Sequence, residues 1–244
     1  MSNHQMLNNE QHKNLKVYTK RSSDLGDNVM ITLTFPSEFY AIQSYYPIVF
    51  YKTESTEEFQ AFALLGLEKK ENLFLSSDER WDCGYVPHTI KAQPFLIGYQ
   101  NQEINGQIQK QKVIHLDVDS PRLNEHEGES IFTQYGQNTP FIEHIGDILG
   151  EIDQGFEDSK QFFHLLNQFN LLEKFVFDIK LNDQSNNRLS GFYTVNEDIL
   201  SSLSSQQLFE LNQKGFLKPL YMASASMLNM SELIKRKNQR LQIK

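Results

Sequence analysis

The sequence contains only one cysteine, Cys83, among its 244 residues. A single thiol cannot build a disulfide framework or a cysteine-rich zinc site, so both are excluded. A chain of this length buries enough apolar surface to fold without either kind of cross-link. A lone thiol is also typical of a reducing compartment.

Long apolar runs are absent as well. The run at 62–65 is among the longest, and it is far shorter than the roughly 20 residues of a transmembrane helix. Residues 1–14 are almost wholly polar, without the basic and apolar segments of a signal peptide. We therefore expect a cytoplasmic protein with no membrane span, although a leaderless export route would leave no trace in these patterns.

Positive charge is in short supply. The chain has 23 Lys and Arg residues against 31 Asp and Glu residues, a formal net charge of −8. This balance argues against nucleic acid as a partner. The glycine-rich nucleotide loops, the GxSxG elbow of serine hydrolases and the HExxH zinc motif are also missing, so the sequence predicts no cofactor of those classes.

The patterns that are present predict an α+β fold. Residues 1–28 are rich in Asn, Gln, Lys and Ser, which predicts a disordered or loosely attached arm. Between 29 and 135, short apolar runs bounded by turn residues predict a curled, mostly antiparallel sheet. From 136 to 244 the pattern changes to helices plus a β-hairpin, which we expect to pack with 29–135 as one unit.

The C-terminal half gives the sharper signals. Thr139-Pro140 predicts a helix start, followed by an apolar stripe, and a second helix is expected from about Asp158 to Leu172. Strict alternation over 174–181 and a return strand over 189–195 predict the hairpin. The stripe consists of Ile142, Ile145, Leu149, Ile152 and Phe156.

The last helices carry three further signals. Ser204 with Gln207 predicts a capping box, and a final helix is expected from Pro219. Met222, Met227 and Met230 on that helix either fill the core or form an adaptable docking face. The tail is basic and either complements the helix dipole or docks an acidic partner. Its cations are Lys235, Arg236, Lys237, Arg240 and Lys244.

The strongest candidate binding segment runs from Asp78 to His88. It gathers the only tryptophan, the only cysteine, a histidine and acidic residues between two predicted strands. Loops of this composition are common binding sites. Catalysis by Cys83 is disfavoured because Asp82 beside it would raise the pKa of the thiol. The residues that we assign to binding are Trp81, Asp82, Tyr85, Pro87 and His88.

The His115-x-Asp117 pair suggests a different chemistry. A histidine and a carboxylate two residues apart on a strand share a face, as in the facial triad of Fe(II) oxygenases. His164 is the candidate third ligand, with His126 and His144 as substitutes. However, His164 falls in a helical pattern, and the following barrel strands and arginine are missing. We therefore favour a half-buried strand with a solvent-exposed face, and we keep the His115, Asp117 and His164 metal site as the alternative.

The segment 117–129 is rich in carboxylates and could hold a hard cation. It lacks a glycine at the sixth position from Asp117, which a calcium loop requires. A solvated loop is the favoured interpretation.

Several segments, in order from about Tyr40 to Leu233, resemble the bacterial SapC family. No single segment is diagnostic, whereas the ordered set is specific. Two positions depart from the family pattern, since Cys83 replaces a small residue and His115 replaces an apolar or cysteine-like one. The segments are Tyr46-Pro-Ile-Val-Phe50, Ala63-Leu-Leu-Gly-Leu67, Arg80-Trp-Asp-Cys-Gly-Tyr-Val-Pro87, Asp117-Val-Asp-Ser-Pro121, Leu189-Ser-Gly-Phe-Tyr-Thr-Val-Asn196 and Ser226-Met-Leu-Asn229.

The resemblance implies no catalytic residues, because no activity is established for the family. Its name derives from a surface-array gene cluster. Relatives are often encoded beside TonB-dependent receptors, tryptophan halogenases and cupin-like oxygenases. The polar residues Asp117, Asp119 and Ser120 join the Trp81–His88 loop as expected binding positions.

Together these observations predict a non-catalytic accessory protein that recognises a peptide or protein partner. The contact would use the Trp81–His88 loop or an apolar groove beside the last helix. The alternatives are the Fe(II) oxygenase and a surface-layer or envelope assembly protein. Homo-oligomerisation stays open.

Overall fold

The computed structural model describes residues 3–53, 57–78, 80–104 and 107–242. Within them, helices combine with antiparallel sheets that do not close into a barrel, so the predicted α+β class is confirmed. The strands are β1 (His4–Met6), β2 (Lys16–Val17), β3 (Ile31–Thr34), β4 (Ile48–Lys52), β5 (Phe59–Leu64), β6 (Phe95–Ile104), β7 (Gln107–Asp117), β8 (Leu123–Asn124), β9 (Glu129–Ser130), β10 (Leu172–Lys180) and β11 (Asn186–Val195). The helices are α1 (Phe39–Ile42), α2 (His88–Lys91), α3 (Pro140–Gln168), α4 (Glu197–Ser201), α5 (Ser205–Gln213), α6 (Leu217–Ser226) and α7 (Met230–Gln242).

The chain divides into two compact units, and each is built from separate stretches of sequence. Unit 1 comprises Met1–Asp27, Ser76–Arg80 and His88–Asp153. Unit 2 comprises Asn28–Leu75, Trp81–Pro87 and Gln154–Lys244. This division differs from the predicted boundaries at 28/29 and 135/136. Composition along the chain reports local pattern, whereas these units are defined by contacts between distant stretches.

Unit 1 contains two three-stranded sheets, in the orders β1-β7-β6 and β8-β2-β9. The first 27 residues, for which composition predicts a loose arm, supply a strand to each. β1 pairs with the end of β7, and His4 lies opposite Asp117. Val17 in β2 is buried in the core of the unit. A few apolar side chains and the strand pairing order a segment whose average composition is polar.

Unit 2 contains a five-stranded sheet in the order β10-β11-β4-β5-β3. The predicted C-terminal hairpin is confirmed as β10 and β11. It adds to the strands from the first half of the chain, because β11 pairs with β4 through Phe192–Tyr51 and Tyr193–Phe50. The sheet that sequence patterns assign to the first half is therefore completed by strands from the second.

Helix α3 begins at the predicted Thr139-Pro140 signal and continues for 29 residues, where the sequence predicts two helices. Its glycines do not interrupt it. A Cβ on Gly155 would lie 2.4 Å from Cγ of Phe35, so this glycine permits a close approach to the chain before α1. Ile142, Ile145 and Leu149 of the predicted stripe are buried and support the helix across the weak positions, whereas Phe156 is exposed.

The helices after β11 follow the predicted order with one difference. The capping box of Ser204 and Gln207 is confirmed at the start of α5. The single helix expected from Pro219 is instead α6 and α7, joined by a 3₁₀ turn over Met227–Asn229. Pro219 lies in the first turn of α6, where a missing backbone N–H costs little.

Candidate functional site

The Trp81–Pro87 loop is held inside unit 2 by aromatic hydroxyl groups. Trp81 Nε1 donates a hydrogen bond to Tyr46 Oη at 2.7 Å. The Tyr46 hydroxyl donates to the carbonyl oxygen of Tyr85, and the Tyr85 hydroxyl donates to Glu38 Oε1 at 2.9 Å. Glu38 is buried and also accepts from Thr34 Oγ1 at 2.7 Å. The polar atoms that made this loop a binding candidate are therefore used within the protein.

Tyr46 stays a neutral hydroxyl in this network. Burial, and then a hydrogen bond with Cys83, raise the pKa of Tyr46. The Cys83 side chain is half-buried and contacts this phenol. A phenol that keeps its proton is not a general base, so this contact does not supply the activation that a nucleophilic thiol needs.

The basic residues of α7 clasp the segment that leads into the loop. Arg236 Nη1 donates to Asp82 Oδ2 at 2.9 Å, and its guanidinium lies 4.6 Å from the centroid of the Phe74 ring. Arg240 Nη2 donates to the carbonyl oxygen of Leu75 at 2.6 Å. We call this set of contacts from α7 the α7 clasp. Arg240 also lies in the last turn of α7, where the sequence predicts a cation that complements the helix dipole.

Lys237 completes the α7 clasp with two carboxylates. Its Nζ lies 2.7 Å from Glu71 and 2.9 Å from Glu68. Burial opposes the charge, but the hydrogen bonds to Glu71 and Glu68 outweigh it and raise the pKa of Lys237. Lys235 pairs with Glu232 on the same helix, and Lys244 lies outside the described residues.

The remaining residue of the predicted loop site, His88, belongs to unit 1 and begins α2. Its Nδ1 lies 3.3 Å from Glu151 Oε2. Pro87 ends the unit 2 stretch before it. Trp81, Asp82, Tyr85 and Pro87 thus share one unit, whereas His88 belongs to the other.

The Asp117–Ser120 positions form a turn at the end of β7 in unit 1. Asp117 Oδ1 accepts from the backbone N–H of Asn3 at 3.1 Å and of Asp119 at 3.3 Å. Ser120 Oγ accepts from the N–H of Arg122 at 3.3 Å. Asp119 is exposed. The carboxylate of Asp117 and the hydroxyl of Ser120 therefore accept backbone hydrogen bonds that stabilise the turn before Arg122.

Arg122 is a residue that sequence reasoning missed. It is 1% exposed, beside Asp27 at 0%, and its Nη2 lies 2.5 Å from Asp27 Oδ1. Its Nη1 donates to the carbonyl oxygens of Tyr18 and Lys20 at 3.2 and 2.9 Å. An arginine after a Ser-Pro turn is usually on the surface, so composition gives no signal that this one is buried.

The histidine and carboxylate pair of the alternative metal site is not assembled into one. His115 lies against Gly98 of β6, where an added Cβ would come within 2.3 Å of its ring. His164 is exposed on the unit 2 part of α3. Across the described residues, no group of three or more His, Cys, Asp or Glu side chains could hold a metal ion. Within the described residues, His115, Asp117 and His164 therefore do not form the metal site of the alternative prediction.

A groove in unit 2 lies beside α6 and has a volume of about 360 Å³. We call it the Tyr40 groove. Tyr40 is 67% exposed, and the Nζ of Lys218 lies 4.9 Å from its ring centroid. The lining includes the apolar side chains of Phe216, Pro219 and Met222 and the charged side chains of Lys214, Lys218 and Asp158. The groove lies beside α6, which is the first part of the single helix that the sequence predicts from Pro219.

The predicted methionine face is divided between core and surface. Met230 is buried in the core of unit 2, whereas Met222 and Met227 are half-buried. Tyr221 and Leu228 are exposed on the same stretch. Met222 is the methionine that reaches the Tyr40 groove.

None of the helices in the described part of the chain combines the length and apolar character needed to span a bilayer. The described residues define an α+β protein with open antiparallel sheets. In unit 2, Arg236 of α7 contacts the Trp81–Pro87 loop, which we call the tryptophan loop. The model of the SapC family matches residues 7–233, nearly the whole chain, and the chain belongs to that family. No curated protein and no solved structure gives a significant match.

Proposed function

We propose that this SapC-family protein is a non-catalytic binding protein that recognises an acidic peptide segment through the Tyr40 groove. The observation that carries the proposal is the exposed Tyr40 ring, at 67% exposure, beside two lysines on an apolar floor. Large exposed aromatic and cationic side chains around a concave surface are typical of peptide anchor sites. We further propose that the protein acts in the bacterial cytoplasm as an accessory protein, in keeping with the neighbours that the resemblance implies.

The groove suits binding better than the tryptophan loop does. In the loop, Trp81 Nε1, the Tyr85 carbonyl oxygen and the Tyr85 hydroxyl all have partners within unit 2. A ligand that used these atoms would first have to break those bonds. Tyr40 has no such cost, because its ring is already exposed and only Lys218 lies over it.

The charges of the groove favour an acidic ligand. Lys214 and Lys218 are exposed, and no ion pair joins either of them to another described residue. The carboxylate of Asp158 already accepts a hydrogen bond from Gln154 at 2.9 Å. A carboxylate on the ligand would complement the lysines, and its electrostatic attraction would mainly raise the association rate and specificity.

The apolar residues of the groove favour a ligand that carries an apolar side chain as well as the acidic one. Phe216 is nearly buried and Met222 is half-buried, so an apolar side chain of the ligand can cover both. Methionine adapts to ligand shape better than branched residues do. A volume of about 360 Å³ accepts one or two side chains, which is the scale of a short peptide motif rather than a folded domain.

The test begins with a random-peptide library displayed on phage and selected on the immobilised full-length protein. We expect the enriched peptides to combine Asp or Glu with a large apolar residue. Their affinities are then measured by fluorescence anisotropy for wild type, Tyr40→Ala and Lys218→Glu. We expect each substitution to weaken binding by about tenfold or more, as for an anchor residue or a reversed charge.

Tyr135→Ala is the matched control, because Tyr135 is also highly exposed but belongs to unit 1. It should leave the affinities unchanged. Selected peptides that bind Tyr40→Ala and Lys218→Glu as tightly as wild type would contradict the proposal. Enriched peptides without acidic residues would contradict the charge argument specifically.

A further inference from the structure

A second concave site lies in unit 1, and nothing in the tryptophan loop or the Tyr40 groove contributes to it. It has a volume of about 150 Å³ and is lined by residues of β2, of the chain after β2, of α2 and of α3. We call it the Arg21 cavity. Its apolar wall includes Phe141, Ile145 and Ile148. Its polar groups include Arg21, Lys91 and His144, and the lining contains no carboxylate.

The charges behind the cavity are unbalanced. The guanidinium of Arg21 is 13% exposed and lies 3.5 Å from Asp27 Oδ1. The same carboxylate oxygen lies 2.5 Å from Arg122, so two buried guanidinium groups share one carboxylate. Nε and Nη2 of Arg122 are buried without a hydrogen bond of good geometry. Buried charges are stable when they are fully paired, and this cluster carries an uncompensated positive charge.

The surroundings of Arg21 also indicate that an additional anion would be favourable. Burial, and then repulsion from Arg122, lower the pKa of Arg21 to about 10, although Asp27 partly opposes them. A second anion beside Arg21 would stabilise its charged form, because an opposite charge nearby favours ionisation. Arg21 already lines the cavity, so an anion bound there would reach it without a change of fold.

We propose that the Arg21 cavity binds a small carboxylate with a compact apolar group. Charge complementarity calls for the carboxylate beside Arg21, and the Phe141, Ile145 and Ile148 wall calls for the apolar group. A cavity of about 150 Å³ holds a molecule of the size of benzene. A benzoate-sized ligand therefore fits, and it is either a free metabolite or the C-terminal residue of a polypeptide.

The experiment uses the full-length protein and benzoate as the probe, with binding measured by isothermal titration calorimetry. We expect one saturable site. Benzyl alcohol has a similar shape without the charge, and inorganic phosphate has the charge without the apolar group. Both should bind at least about tenfold more weakly, since a hydrogen bond to a charged group and a buried ring each contribute that much.

The site is located by NMR of isoleucine methyl groups. The ring current of benzoate should shift the methyl signals of Ile145 and Ile148, while Ile179 of unit 2 stays unchanged. Arg21→Gln should weaken benzoate by at least about tenfold, and His144→Gln, at an exposed residue of α3, should weaken it less. Lys174→Gln removes an exposed cation of β10 in unit 2 and is the control.

Two further probes distinguish the sources of the carboxylate. A tripeptide that ends in phenylalanine should compete with benzoate if the natural ligand is a polypeptide C-terminus, and its amidated form should not. A tripeptide that fails to compete assigns the site to free carboxylates. The proposal is overturned if benzoate does not bind, if benzyl alcohol or phosphate binds equally well, or if the shifted methyl groups lie elsewhere. These results leave the Tyr40 groove untested, so the two proposals fail separately.

Discussion

The polar networks of the two units differ in how many acceptors they use. In unit 2, the tryptophan loop is held inside by hydroxyl groups, one of which donates to the buried carboxyl group of Glu38, and near the surface by the α7 clasp, where each cation has at least one acceptor. In unit 1, the guanidinium groups of Arg21 and Arg122 share the one carboxylate of Asp27, and Arg122 and Asp27 are fully buried. The polar contacts of unit 2 are spread over several donors and acceptors, so the loss of one leaves the others in place. In unit 1, two guanidinium groups depend on a single carboxylate.

The largest expected effect tests the buried cluster directly. Asp27→Asn would leave Arg21 and Arg122 buried without a countercharge, so we expect the free energy of unfolding to fall by about 3–5 kcal/mol. Urea denaturation followed by circular dichroism measures it. The control is Asp119→Asn, at an exposed residue, which should change stability by less than about 0.5 kcal/mol. Equal effects of the two substitutions would remove the contrast between the units.

Removing one hydroxyl group from the network of unit 2 should lower the free energy of unfolding by a smaller amount. Tyr46→Phe removes the acceptor of Trp81 Nε1 and the donor to the Tyr85 carbonyl oxygen, at a cost of about 1–3 kcal/mol. Because Trp81 is the only tryptophan, its fluorescence maximum should shift when the hydrogen bond is lost. Tyr40→Phe at the exposed tyrosine should change neither quantity. An unchanged emission spectrum for Tyr46→Phe would argue against the Trp81 contact.

The α7 clasp should give a smaller and pH-dependent contribution. Lys237→Met leaves Glu71 without its cation, and we expect a loss of about 1–2 kcal/mol at neutral pH. The folded state holds the Lys237 proton more tightly than the unfolded chain does, since its pKa is raised from 10.5. The contribution is therefore fully present below the unfolded value and is lost as pH rises through the folded one.

Denaturant titrations of wild type and Lys237→Met at pH 7, 9 and above 10.5 measure this difference. The gap between the two proteins should narrow only at the highest pH. Lys235→Met, at an exposed residue that pairs with Glu232, should cost less than about 1 kcal/mol at neutral pH. A gap that closes already between pH 7 and 9 would show that Lys237 is not the titrating group.

The smallest expected changes in stability come from two glycine substitutions in α3, one in the unit 1 part of the helix and one in the unit 2 part. Gly150→Ala, on the unit 1 part of α3, meets nothing within 4 Å, and should stabilise by about 0.5–1 kcal/mol through helix propensity. Gly155→Ala, on the unit 2 part, would press on Phe35. Overpacking costs about 1–3 kcal/mol, so we expect a net loss of about 1 kcal/mol. Thermal unfolding should move in opposite directions, and two shifts of the same sign would contradict the close approach at Gly155.

Local signals predicted the elements well where the chain itself supplies the reason. Ser204 and Gln207 cap α5 because they lie three positions apart, at the N-cap and N3 positions, and Thr139-Pro140 marks the start of α3. The composition of residues 1–28 gives no signal for β1 and β2, because their partners lie about 110 residues further along the chain. The sequence pattern also divides α3 into two helices, since the packing that joins them into one is not visible in local spacing.

The candidate site shows the same limit. Sequence patterns located the tryptophan loop as a feature, but they could not tell that Tyr46 and Glu38 occupy its polar atoms. They also predicted an apolar groove beside the last helix, and they gave no indication that Tyr40 and the lysines of the Tyr40 groove lie together beside α6. They gave no indication of Arg122, because burial of an arginine depends on the distant carboxylate of Asp27.

The amino-acid sequence by itself determined the α+β class, the hairpin, the caps and the SapC family, since these follow from short-range spacing and ordered motifs. Only the tertiary structure decided which polar side chains have partners within the protein. The tail cations of α7 clasp the tryptophan loop, and Asp27 joins Arg21 to Arg122 across the chain. The reason is physical: the charge and burial of a side chain depend on neighbours in space, which local spacing does not record.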